Sequence, residues 1–178
     1  TLSSSSAASD VYKRQISGSG VMEGGSFAWL NEKTCAIGVG VRVNREGAAQ
    51  VGEVLARQGV ELLVVDLPGY DIHLDVSFLM IDRDLALINP QGLPYSFLEE
   101  LSVRGIRVIE IDPGDDPWIV NSLAIAPGRL VMAEGATNRT LDRLAAAGVT
   151  WITQPFAAMH KNGGGLHCST TPLRRDPA

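Results

Sequence analysis

The sequence predicts an α/β protein in which about three ββαβ units of about 35 residues each pack around a common axis. Two observations carry this. The order strand, strand, helix, strand occurs three times between Phe27 and Thr153, and the helical stretches end on glycine. A third supports it: one such unit has too little surface to bury its own apolar faces, so the units must cover one another.

The first unit opens with "FAWLNEKTCAIGVG", two short apolar stretches hinged at the turn-like Asn31-Glu32-Lys33. In "NREGAAQVGEVLARQG" the apolar residues Ala49, Val51, Val54 and Leu55 fall at helical spacing, and Gly59 stops the helix. "VELLVVDL" follows as a buried strand. The second unit reads "DVSFLMIDRDLALINP", a hairpin turning at Asp82-Arg83, then a helix from Pro94 to Gly105, then the strand "IRVIEI". In the third, "NSLAIAPGRLVMAE" turns at Pro127-Gly128 and precedes the helix "TNRTLDRLAAAG" and the strand "VTWIT".

Residues 1 to 15 read as a disordered or non-native leader, Ser-rich and without apolar periodicity, so the domain is placed at 16–178. With 45% hydrophobic and 20% charged residues the chain has the composition of a globular protein. A net charge of −5 argues against nucleic acid, and no apolar run reaches the ~20 residues of a membrane span. Two cysteines without disulfide spacing point to a reducing, cytoplasmic setting.

The repeat also places chemistry. "MEGGS", "GYDIHLD" and "DPWIVN" precede the first strand of each unit, and "KNGGGLHC" follows the third. These are equivalent positions, so Glu23, His73, Asp75, Asn121 and Cys168 should meet in one central site. A thiol there can act as a nucleophile, with His73 to take or hold a proton. One carboxylate could orient the histidine and the other grip a cationic substrate. Gly163, Gly164 and Gly165 allow a close backbone approach beside the thiol.

Other residues read as ordinary structure. Cys35 lies inside the strand "TCAIGV" and reads as buried. His160 and His167 read as loop residues, and His167 as unable to fold back onto its neighbour Cys168. A zinc site of His73, His167 and Cys168 lacks the close ligand spacing such sites use, so no metal and no cofactor is expected. Arg42, at the end of the second strand, suits either a substrate carboxylate or a surface ion pair.

"MEGG", "IHLDVSFLMIDRD", "NSLAIAPG" and "GGGLHCSTTPL", in this order, resemble the guanidine-modifying (pentein) superfamily of arginine deiminase, dimethylarginine dimethylaminohydrolase and amidinotransferase, over about Val21 to Arg175. The resemblance implies an α/β propeller of five units, of which the chain would hold about three-fifths, with the N-terminal units missing. It implies that Cys168 attacks a guanidinium carbon to give a thiouronium-type adduct, and that His73 protonates the leaving amine and then activates water. It further implies that Glu23 pairs with His73, that Asp75, Arg42 and Asn121 bind substrate, and that Ser26 stands where the family usually has aspartate.

The function so implied is a cofactor-independent, cysteine-dependent hydrolase of arginine or a related guanidino compound. Its only expected partner is that small molecule, with homo-oligomerisation left open, and the intact parent is expected to be more active than this chain alone. The rivals are an amidinotransferase, in which an amine replaces water, and a non-catalytic guanidino-binding or interaction module.

Overall fold

The computed structural model describes residues 14–171. The leader expected over 1–15 lies outside these residues up to position 13, as does the end of the "GGGLHCSTTPL" motif from Pro172. Three units are observed in the expected order. Unit one comprises β1 (Phe27–Asn31), β2 (Thr34–Val39), α1 (Arg45–Ala56) and β3 (Glu61–Asp66). Unit two comprises β4 (Phe78–Asp82), β5 (Leu85–Ile88), α2 (Tyr95–Val103) and β6 (Arg107–Glu110). Unit three comprises β7 (Leu123–Ala126), β8 (Arg129–Ala133), α3 (Asn138–Ala146) and β9 (Thr150–Gln154). A short α4 (Ala157–His160) follows.

Each unit makes its own three-stranded sheet, with the second strand in the middle. The hairpin is antiparallel, and the strand returning from the helix joins parallel to the second strand. All three hairpins carry an irregularity at the same place, between Trp29 and Asn31, Met80 and Asp82, and Ala124 and Ala126. The helices also end alike. Gly59, Gly105 and Gly148 have φ of 71°, 72° and 78°, a left-handed conformation that glycine adopts without a Cβ penalty. The next residue's amide then returns to the carbonyl five positions back: Val60 to Leu55, Ile106 to Leu101, Val149 to Leu144. This closure turns the chain directly into the parallel strand.

The middle strands explain why the sequence reads as continuous apolar runs. β5 is buried at all four positions, yet Ala86 and Ile88 join a cluster shared with Leu30, Ala36 and Val65 of unit one. Leu85 and Leu87, on the opposite face, join Leu130, Met132 and Leu144 of unit three. A strand alternates its side chains between two faces, and here each face meets a neighbouring unit. The first strands of successive units, β1 with β4 and β4 with β7, pack against each other. Ser26, Ser77 and Ser122 each immediately precede a first strand, and all three are buried. The alignment of units thus extends to single residues.

Cys35, in the middle of β2, is fully buried as its sequence position implied. Burial pushes its thiol up to about 11, because the thiolate would have to exist without water. The unfolded chain ionises this thiol near its ordinary 9.0, whereas the folded chain does not until about 11. The corresponding stability is therefore complete below pH 9 and is lost as pH rises through the window to about 11, by roughly 1–3 kcal/mol in all. Urea denaturation of the wild type and Cys35→Ala at pH 8 and pH 10.5 checks this. The wild type should lose its advantage over the variant at the higher pH, and a constant gap would contradict it.

Candidate active site

Each unit is preceded by a single 3-10 turn, at Gly24–Ser26, Leu74–Val76 and Pro117–Ile119, and a fourth turn at His167–Ser169 follows unit three. Glu23 and His73 occupy the same place, the extended residue just before the first and second turns. Their side chains meet: His73 Nε2 lies 2.7 Å from Glu23 Oε2. An ionised carboxylate only accepts, so Nε2 donates and Nδ1 is the nitrogen left for other chemistry. Gly25 makes room for it, since a Cβ there would lie 2.7 Å from His73 Nδ1 and 3.3 Å from Asp75 Oδ1. Arg42 Nη1 sits 3.6 Å from Glu23 Oε1, both side chains being about half exposed, at 56% and 43%. Of the two readings open for Arg42 the ion pair is therefore present, at the rim of the cluster.

Asp75 lies within the second turn and is buried. Its Oδ2 accepts from His167 Nδ1 at 2.8 Å and is 3.5 Å from Cys168 Sγ. Its Oδ1 is buried without a hydrogen-bond partner among the described residues. An orphaned carboxylate oxygen is costly to bury, so this position suits a ligand that brings its own donors. His73, Asp75 and Cys168 each offer a polar atom within 4.8 Å of the others.

Asn121 holds the cysteine in place. Its Nδ2 donates to the Asp75 carbonyl at 3.1 Å and to Cys168 Sγ at 3.2 Å. Its Oδ1 accepts from Cys168 N at 3.2 Å, and its main-chain carbonyl accepts from His167 N at 3.1 Å. The side chain is fully buried and has no polar atom left over. The returning loop supplies two of its three side-chain bonds and the Asp75 carbonyl the third. Gly163 has φ 76°, and Gly165 lies against the Asn121 side chain, so two of the three glycines are needed for this loop.

His167 also departs from expectation. It reaches the same carboxylate as its neighbour Cys168, because the two lie in a tight 3-10 turn. In an extended segment successive side chains would point to opposite faces. The sequence signal for it was only adjacency to the thiol. His160, by contrast, lies at the end of α4 and stacks on Trp118, with ring centroids 5.7 Å apart. Ser26 is fully buried, with Oγ 3.5 Å from the Ile72 carbonyl, so this position carries no carboxylate to the site.

Cys168 is exposed as a residue, while its sulfur packs against Asn121 and Asp75. Desolvation of the sulfur, then the negative charge of Asp75, push its thiol above the ordinary 9.0. Hydrogen bonds from Gly165 and Asn121 act in the opposite direction. The net effect keeps the group a thiol at neutral pH.

Three ββαβ units presenting a cysteine, a histidine and carboxylates at one end match solved structures of the guanidine-modifying, or pentein, superfamily. Among matching solved structures is a dimethylarginine dimethylaminohydrolase from Pseudomonas aeruginosa, a cysteine-to-serine mutant complexed with citrulline, at TM-score 0.71 and 24% identity over 86% of this chain and 56% of that one. Another is the inosamine-phosphate amidinotransferase of Streptomyces griseus, at TM-score 0.72 and 19% identity over 89% and 48% of the two chains. The family model described as arginine deiminase matches residues 6–95, and the chain belongs to the arginine deiminase family. An arginine deiminase of Mycobacterium avium is 28% identical over 88% of this chain and 47% of its own length. The chain spans about half the length of the curated relatives it matches. Among the described residues no helix is long and apolar enough to cross a membrane.

Proposed function

We propose that the site hydrolyses the guanidinium group of arginine or a related guanidino compound, with Cys168 as nucleophile. The observation that carries this reading is the Cys168 sulfur held beside the half-unpartnered Asp75 carboxylate, within reach of a His73 already oriented by Glu23. Membership of the arginine deiminase family supports the substrate class. In the same reading the three units are consecutive sectors of an α/β propeller, placed by residues 16–178 about one pseudo-symmetry axis. The packing of β1 on β4 and β4 on β7 supports that arrangement.

The chemistry divides as follows. A guanidinium binds with N–H groups toward Asp75, and its positive charge offsets the carboxylate that holds the thiol protonated. The thiol passes its proton to His73 Nδ1, and the thiolate adds to the guanidinium carbon. His73 delivers a proton to the departing nitrogen, the C–N bond breaks, and ammonia or an amine leaves. A thiouronium-type adduct remains on Cys168. Water then adds to the same carbon while His73 takes a proton from it. The C–S bond breaks, returning the thiolate and releasing a ureido product. Glu23 keeps the His73 ring in plane and stabilises its protonated form, and Arg42, beside Glu23 at the rim, pairs with a substrate carboxylate in this reading. Asn121 acts on the nucleophile rather than on the substrate.

The test is formation of the ureido product (citrulline from arginine or methylated arginines, carbamoylputrescine from agmatine) by the purified full-length protein, combined with rapid acid quenching and peptide mass spectrometry. The expected result is turnover of at least one of these and an adduct on the Cys168 peptide. An adduct on another residue, or none during turnover, would overturn the mechanism. Transfer of the amidino group to an added amine in preference to water would assign the transferase reaction instead.

A further inference from the structure

His167 is the remaining polar side chain in contact with the cluster to which the chemistry above gives no part. Its ring is only 30% exposed and donates through Nδ1, not Nε2, to an Asp75 side chain that is 6% exposed. The oxygen it engages, Oδ2, is the one that lies 3.5 Å from the Cys168 sulfur. Its own backbone amide is tied to the Asn121 carbonyl, so the ring is anchored from both ends.

Resting on the reading of Cys168 as nucleophile, we propose that His167 is a positioning residue: it shares Asp75 Oδ2 with the Cys168 thiol, weakens the hold of that oxygen on the thiol proton, and fixes the carboxylate so that Oδ1 remains for a guanidinium N–H. A carboxylate oxygen next to a thiol is its best available acceptor, and an S–H···O bond to it stabilises the thiol over the thiolate. A ring N–H on the same oxygen competes directly with that bond and draws off part of the negative charge. The titratable groups around the sulfur are Asp75 and His73, with His167 behind Asp75. Asp75 is thus the group through which His167 acts.

The ring nitrogen involved makes the inference sharp. The amide nitrogen of asparagine falls near the position of histidine Nδ1, whereas that of glutamine falls near Nε2. The test is the rate of alkylation of Cys168 by iodoacetamide at pH 7.5, read on its own peptide by mass spectrometry, in the full-length protein without substrate. His167→Ala should slow alkylation about tenfold, the size of one charge-assisted hydrogen bond. His167→Asn should restore the rate to within about threefold, and His167→Gln should remain near the alanine value. In an Asp75→Asn background His167→Ala should change nothing further, since the two residues act as one unit.

Alkylation of His167→Ala at or above the wild-type rate would overturn the proposal, as would equal rescue by glutamine and asparagine. If the alanine variant does not fold, the comparison of asparagine with glutamine decides. The measurement needs no turnover, so a protein that converts no guanidino compound but shows this pattern would refute the enzymatic reading and leave the positioning role standing.

Discussion

Cys168→Ser is expected to lower turnover by at least about 10⁴-fold while leaving ligand binding nearly unchanged. A serine hydroxyl at this place is a far weaker acid than the thiol, and the adjacent Asp75 charge already pushes the thiol above its ordinary value. The group that could act as a base toward it is limited as well. His73 donates Nε2 to Glu23, and Asp75 Oδ2 is engaged by His167. His73 Nδ1 can take a proton at the site, but an alkoxide forms far less readily than a thiolate, so attack by serine should be slow. Binding should survive because it rests on Asp75 Oδ1, whereas the sulfur is bonded to Oδ2. The measurements are steady-state citrulline release and calorimetric titration with substrate. Activity within tenfold of the wild type would sink Cys168 as nucleophile. The same raised thiol sets the sign of the pH dependence in the unliganded protein: kcat/KM should rise with pH through the thiol's range, because only the ionised sulfur attacks. A rate that falls over that range would argue that the carboxylate does not govern the thiol.

Much of this site was legible because the chain repeats itself. The period alone placed Glu23, His73 and Cys168 at corresponding points, and they are found at or in corresponding 3-10 turns. What was not legible depended on turn geometry and on packing across units. His167 read as a loop residue without a part in the site, whereas the 3-10 turn lets both it and Cys168 reach Asp75. Asn121 was recognised as a site residue from its place in the repeat, but its task could not be read there. Its bonds go to a loop 47 residues later, and only the fold brings that loop onto it. Ser26 is the instructive case. Set against a family motif it looks like a lost carboxylate. Set against Ser77 and Ser122 of its own chain it is the buried residue that starts each unit. Aligning the three units on these serines would have indicated this from sequence alone.

Gly165→Ala is the other change with a large expected effect, because it tests whether the cysteine is placed by contact with Asn121. A Cβ at position 165 would fall on Asn121 Oδ1 and come within 2.6 Å of Asn121 Cγ and 2.8 Å of its Cβ. The Asn121 side chain is fully buried and hydrogen-bonded to Asp75 and Cys168, so it cannot swing aside. The loop must move instead, and it carries the nucleophile three residues later. A displacement of about 1 Å at a reacting atom can cost about 100-fold in rate, so turnover should fall by about that factor or more. The cost in global stability should stay near 1–3 kcal/mol, the ordinary range for overpacking at one site. Asn121→Gly should cause a similar loss for the opposite reason, by removing the bonds that hold the sulfur. The double variant separates contact from coincidence: with the asparagine side chain gone, the added methyl meets open space, and the two losses should not multiply. Turnover of the double variant near that of Asn121→Gly alone is expected. A product of the two separate losses would mean that Gly165 acts on the site by some route other than Asn121.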